Sequence, residues 1–258
     1  MIKFFVSGFV YPGITWTGLL LGIGLGIAFG AIWLAGYWPP LRQKPWLWAV
    51  LAVSPVLSWL AVAFGQIPLQ ALTGQALGQF WSQETLISWL WLAGIPQTLL
   101  SGLVQEGSKL VPIVIWWRLV KKELTPRTGL LIGAMAGAGL GIFEAVWAHN
   151  NVFAAGWTWQ VVEARGIIAL VPFWERFFTV ALHIGLSALT GYGLAKGWGW
   201  QFYLLAAFLH SLANYSAVLL QSGVFTIFHV EIYAAVIAVL LTAVMLTIRW
   251  RGSEDTID

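Results

Sequence analysis

Seven apolar stretches, near residues 15–36, 46–65, 86–118, 129–149, 171–195, 199–221 and 227–248, constrain this chain more than any motif in it. A helix rises ~1.5 Å per residue and the hydrocarbon layer is about 30 Å thick, so ~20 apolar residues make one crossing. Inside lipid every backbone N–H and C=O must be bonded within its own segment, which favours helices for such runs. Charged residues make up 9% of the 258 positions and hydrophobic ones 59%, against about 25% and 45–50% in soluble domains. The reading is an all-α polytopic transmembrane bundle: one integral membrane domain over 1–258, with no room for a separate soluble domain. Cysteine is absent, which excludes disulfides. Residues before Pro12 are too short an apolar run for a signal peptide and read as an interfacial segment.

The third stretch contains Pro96 and Pro112 and is long enough to be one kinked span or two short ones. Charge decides. With a single third span, Arg42, Lys44, Arg118, Lys121, Lys122, Arg127, Lys196, Arg249 and Arg251 fall on one face, nine of the thirteen basic residues. The positive-inside rule then puts the N-terminus outside and the C-terminus in the cytoplasm. Segment 66–85 becomes an outer loop or a helix lying on the membrane, and Glu163 and Arg165 fall in another outer loop. Trp46, Trp48, Trp157, Trp159, Trp198 and Trp200 lie near span ends, as headgroup anchors do. His149, Asn150 and Asn151 are expected to cap the fourth span, and His229 and Glu231 to begin the seventh near water. Gly22, Gly26 and Gly30, and Gly133, Gly137 and Gly141, form small-residue rows at helical spacing that let neighbouring backbones approach.

Ionisable groups inside a span cost several kcal/mol, so each marks a candidate site. Counted from the basic face, Glu106 precedes Arg118 by twelve residues, Glu144 follows Arg127 by seventeen, His183 precedes Lys196 by thirteen and His210 follows it by fourteen. All four therefore sit about 18–26 Å from one boundary. His210 with Asn214, His183 with Ser187 and Thr190, and Glu106 with Lys109 make polar stripes at helical spacing, and Glu144 extends the glycine row of its own helix. A single intramembrane His is as often a packing residue as a ligand, and Glu106 with Lys109 could be a neutralised structural pair. Two Glu and two His at one depth on separate spans favour a shared polar site. Carboxylate and imidazole together can hold a divalent metal, or activate water with Glu as base and His and Asn stabilising an oxyanion.

Gln105-Glu106-Gly-Ser-Lys109 resembles the Glu-Glu-x-x-Lys/Arg motif of the intramembrane protease superfamily that includes the CPBP, PrsW and YhfC families. Gly139-Leu-Gly-Ile-Phe-Glu144 is similar to the glycine-rich motif ending in Glu of PrsW and YhfC. Glu175-Arg176 followed by His183 most resembles the YhfC branch, and His210-Ser-Leu-Ala-Asn214 matches the final His-x-x-x-Asn motif. The resemblance implies Glu106, Glu144, His183, His210 and Asn214 as catalytic, with Gln105, Lys109 and Arg176 in support. The resemblance places these residues around a water or a divalent metal such as zinc, with His183, His210 and Glu144 as the ligands where a metal is held. Gln105 departs from the pattern: it replaces the Glu expected to activate water, and an amide cannot take up a proton. Either Glu106 or Glu144 is then the base, or the chain binds membrane segments without cutting them. The expected partners are membrane lipids and transmembrane protein substrates or partner subunits, not nucleic acid, and the expected location is a prokaryotic plasma membrane. Against this stand a haem- or pigment-bearing subunit with His183 and His210 as axial ligands, a proton-relay transporter, and a structural subunit.

Overall fold

The computed structural model describes residues 11–120 and 123–251. Among them the chain is helical throughout, with no strand. Helix α1 (Trp16–Tyr37) is followed by α2 (Trp46–Ala61), a π turn (Val62–Gln66) and α3 (Ile67–Phe80), then by a short α4 (Gln83–Ser88) and a long α5 (Leu90–Val120). Helix α6 (Pro126–Ala154), short α7 (Trp159–Arg165), a tight turn (Gly166–Leu170), α8 (Val171–Ala195), α9 (Gly199–Gln221) and α10 (Ile227–Arg251) complete the order. The starts follow local chemistry. Thr15 Oγ1 accepts from Gly18 N at 3.0 Å, and Thr125 Oγ1 accepts from Thr128 N at 3.2 Å with Pro126 behind it, satisfying donors that have no intrahelical partner.

Among the described residues six helices are long and apolar enough to cross a membrane: Trp16–Tyr37, Trp46–Phe80, Pro126–Ala154, Trp159–Ala195, Gly199–Gln221 and Ile227–Arg251. Side chains such as Ile27, Val53, Phe208 and Leu240 turn outward from them, as lipid solvation requires. The third expected span is present as one continuous helix, α5, but is not in that set: Gln97, Gln105, Glu106, Lys109 and Arg118 lower its apolarity. Its polar face is turned inward instead, where Ser101, Gln105, Glu106, Ser108 and Lys109 are buried.

Helix α6 is the axis of the bundle, with α1, α2, α5 and α8 packed around it. Glycine makes this possible. A Cβ on Gly133 would come within 2.0 Å of the Ser187 carbonyl oxygen, and one on Gly137 within 2.1 Å of the His183 carbonyl oxygen, so α6 and α8 touch backbone to backbone. Gly26 and Gly30 of α1 meet Val146 and Ile142 in the same manner. On the opposite side Ser54 Oγ donates to the Ala136 carbonyl at 2.7 Å, in a fully buried spot between α2 and α6. Ser54→Ala removes that donor and little volume. The expected loss is about 0.6 kcal/mol, the mean for interhelical hydrogen bonds in membranes, to be read from reversible unfolding in mixed micelles.

Several expectations change. Of the loop and helix expected for segment 66–85 the structure has helix, apart from Trp81 and Ser82, but the π turn carries the second span on into α3, which pairs with α5 through Gln70 Nε2 to the Gln97 carbonyl (2.8 Å) and Gln97 Nε2 to the Gln70 carbonyl (3.1 Å). His149 and Asn150 do not stand at a helix end, since α6 runs on to Ala154; both are fully buried, and the His149 ring packs against Phe29 and Phe173. Glu163 and Arg165 lie in α7 rather than in a loop. Glu231 is buried on α10. Trp157 packs on Phe173 and donates to the Ala169 carbonyl, while Trp48, Trp159, Trp198 and Trp200 stay exposed as anchors would. The expected interfacial segment before Pro12 lies almost wholly outside the described residues.

Candidate functional site

Four helices each send an ionisable side chain to one place. Glu106 and Lys109 come from adjacent turns of α5, His183 from α8 and His210 from α9, each no more than 3% exposed. Lys109 Nζ lies 2.6 Å from Glu106 Oε1 and 3.1 Å from His183 Nδ1, and His210 Nδ1 lies 2.6 Å from the same Glu106 oxygen. Glu144, from α6, meets His183 Nε2 at 3.0 Å through Oε2. The glycine row makes this last contact possible, because Gly137 and Gly141 bring α6 close enough to α8 for a side chain two turns along to cross over.

Hydrogen-bond chemistry fixes the tautomers. An ammonium only donates, so His183 Nδ1 accepts from Lys109, and its Nε2–H donates to the Glu144 carboxylate. A carboxylate only accepts, so His210 donates through Nδ1–H and keeps the Nε2 lone pair. A continuous chain thus runs Glu144, His183, Lys109, Glu106, His210 through the middle of the bundle. Two carboxylates are balanced by Lys109 and by Arg176, whose Nη1 is 3.9 Å from Glu144 Oε2 and whose other arm bonds Glu175.

One ligand atom each from Glu106, His183 and His210 lies within 4.8 Å of the other two. Two imidazoles and a carboxylate suit a zinc-like ion with a position left open, and Glu106 Oε2 is buried without a partner. In kind and spacing this cluster could hold a metal. It differs from the expected set: Glu106 takes the place of Glu144, which instead bonds the outer nitrogen of His183. Lys109 is the competitor, since its ammonium already bonds Glu106 Oε1 and His183 Nδ1, atoms of two of the three residues.

The remaining expected residues line the approach. Gln105 Nε2 donates to Gln66 Oε1 (3.2 Å) and lies 3.4 Å from Ser101 Oγ, while its Oε1 is buried without a partner. Asn214 Nδ2 donates to Ser101 Oγ at 2.9 Å. Of the α8 stripe only His183 reaches the cluster; Thr190 bonds its own helix, and the Ser187 hydroxyl is buried without a partner. Gln66 and Ser101 are not singled out by the sequence pattern. Ser101 precedes Gln105 by one helical turn, a spacing that could reveal it, whereas Gln66 depends on the π turn.

Two cavities flank this cluster. One, about 330 Å³, is lined by Glu144, Arg176, His183, His210 and Asn214; the other, about 390 Å³, is mostly apolar, lined by Trp59, Val62, Leu140, Phe143 and Trp147. Gln105 and Glu144 line both. No curated protein and no solved structure matches the chain. Residues 140–237, which carry Glu144, His183, His210 and Asn214, match the YhfC intramembrane metalloprotease family, in agreement with the YhfC-like motifs of the sequence.

Proposed function

We propose that this integral membrane protein is an intramembrane endopeptidase of a prokaryotic plasma membrane, hydrolysing membrane-embedded or membrane-proximal peptide segments. The observation that carries the reading is Glu144: a carboxylate held by His183 and Arg176, yet facing both a polar and an apolar cavity. The polar cavity has room for water and a peptide carbonyl, and the apolar one for a hydrophobic side chain.

Glu144 takes a proton from water as the water oxygen attacks the carbonyl carbon. Asn214 and Arg176, which line the same cavity, supply N–H donors for the oxyanion. As the C–N bond breaks, Glu144 returns the proton to the leaving amine. Gln105 serves as an acceptor for a substrate N–H through its unpartnered Oε1. Glu106, His183 and His210 would hold a divalent metal such as zinc, and the chemistry it supplies there is Lewis acidity toward a carbonyl. Without one, Lys109 keeps the same side chains in register.

A second reading is favoured by Gln105 and Lys109: a non-catalytic relative that binds membrane segments or serves as a partner subunit, with Glu106 Oε1 and His183 Nδ1 accepting from an ammonium instead of ligating a metal. Incubation of the purified protein with transmembrane peptides separates the two. For an endopeptidase, wild type yields defined fragments and Glu144→Gln lowers the rate about 10²- to 10⁴-fold, the usual worth of a general base. Binding without fragments, unchanged in Glu144→Gln, favours the second.

A further inference from the structure

Where α6 begins and α8 and α10 end, the bundle holds another cavity, about 580 Å³, lined among others by Thr125, Arg127, Tyr192, Lys196, Arg249 and Arg251. It shares no residue with the cavities around Glu144. Among the described residues four cations line it and no carboxylate does, and none of the four forms an ion pair.

Two of the four stand where an anionic ligand would relieve a cost. Arg127 stands in the first turn of α6, at the positive end of a helix of 29 residues, where a cation is disfavoured. Arg249 is 4% exposed; its Nε donates to the Tyr37 carbonyl at 3.1 Å and its guanidinium lies 4.9 Å from the Trp250 ring centre, but Nη1 is buried with no partner. A buried guanidinium N–H without an acceptor costs free energy that the surrounding apolar packing does not return. Tyr192 adds a ring under Lys196, whose Nζ is 5.9 Å from its centre.

The chemistry that satisfies this set is a tetrahedral oxyanion: arginine forks pair with phosphate oxygens, a helix N-terminus attracts the charge, and basic pockets between spans on one membrane face take lipid headgroups. We propose that this cavity binds a phosphate group, carried by an anionic phospholipid headgroup or free in solution, with Arg249, Arg127 and Lys196 as its ligands.

The full-length protein, stripped of lipid in neutral detergent, is offered phosphatidylglycerol, phosphatidylcholine or inorganic phosphate, with adducts counted by native mass spectrometry and melting followed in parallel. Retention of phosphatidylglycerol over phosphatidylcholine, with no response to inorganic phosphate, identifies a lipid headgroup; a melting shift with millimolar phosphate as well identifies the phosphate group itself as sufficient. Each lost charge weakens binding roughly five-fold, so Arg127→Gln/Lys196→Gln is expected to weaken it ~25-fold. Arg249→Gln tests the buried ligand, and the double variant, which leaves the bond to Tyr37 intact, covers its failure to fold. Equal retention of the two lipids with no phosphate response, or an unchanged double variant, overturns the proposal.

Discussion

Gly137→Leu is expected to abolish the folded protein in the membrane. Its Cβ alone would stand 2.1 Å from the His183 carbonyl oxygen and 2.6 Å from the carbonyl carbon, atoms of a helix backbone that cannot swing aside as a side chain does. Helices α6 and α8 must separate by more than an ångström along their shared seam, and overpacking of this kind costs 1–3 kcal/mol or more. The same displacement pulls His183 from Glu144, so any protein that survives should have lost the site. Detergent-extracted yield, size-exclusion profile and peptide cleavage measure the three consequences. Gly24→Leu, on the same type of helix but with nothing within 4 Å of its Cβ, is the control and should behave as wild type.

Glu106→Ala carries the second large effect. Lys109 is 1% exposed and its ammonium bonds Glu106, so removal of the carboxylate strands a cation in the centre of the bundle. Breaking a buried pair from one side costs about 3–5 kcal/mol, whereas replacing both partners with apolar residues is often close to neutral. Glu106→Leu/Lys109→Leu should therefore recover most of the stability lost in Glu106→Ala, measured by unfolding in mixed micelles. Neither variant should take up zinc on the Glu106, His183 and His210 cluster, and metal content after dialysis against zinc, with wild type alongside, checks that separately. A double variant as unstable as the single one would mean that the loss in Glu106→Ala does not come from the stranded ammonium.

Span positions are legible in the sequence because lipid solvation leaves a coarse mark: apolar runs of at least about 20 residues, with basic residues gathered at alternate ends. The glycine rows on α1 and α6 are legible for a similar reason, since a small-residue face at helical spacing has few uses other than close packing. Depth along a helix is arithmetic, so counting residues is enough to put Glu106, Glu144, His183 and His210 at one level. Rotation about each axis is not written in spacing. Whether Glu106 or Glu144 joins His183 and His210 depends on how α5 and α6 turn relative to α8, which is decided by packing across several interfaces. His149 eludes the count for the same reason: its burial depends on Phe29 and Phe173, from two other helices, while its position near a span end suggests water.

The π turn at Val62–Gln66 fits one more residue into a winding than a regular helix holds, and beyond it the rod is rotated by about 100° from the phase it would otherwise keep. Two glutamine contacts depend on that phase: Gln66 with Gln105 below, and Gln70 with Gln97 above. The turn thus acts as a dial with one setting. It ties α3 to the same helix that carries Glu106, so one winding sets both the pairing of Gln70 with Gln97 and the placing of Gln105 beside the polar cavity.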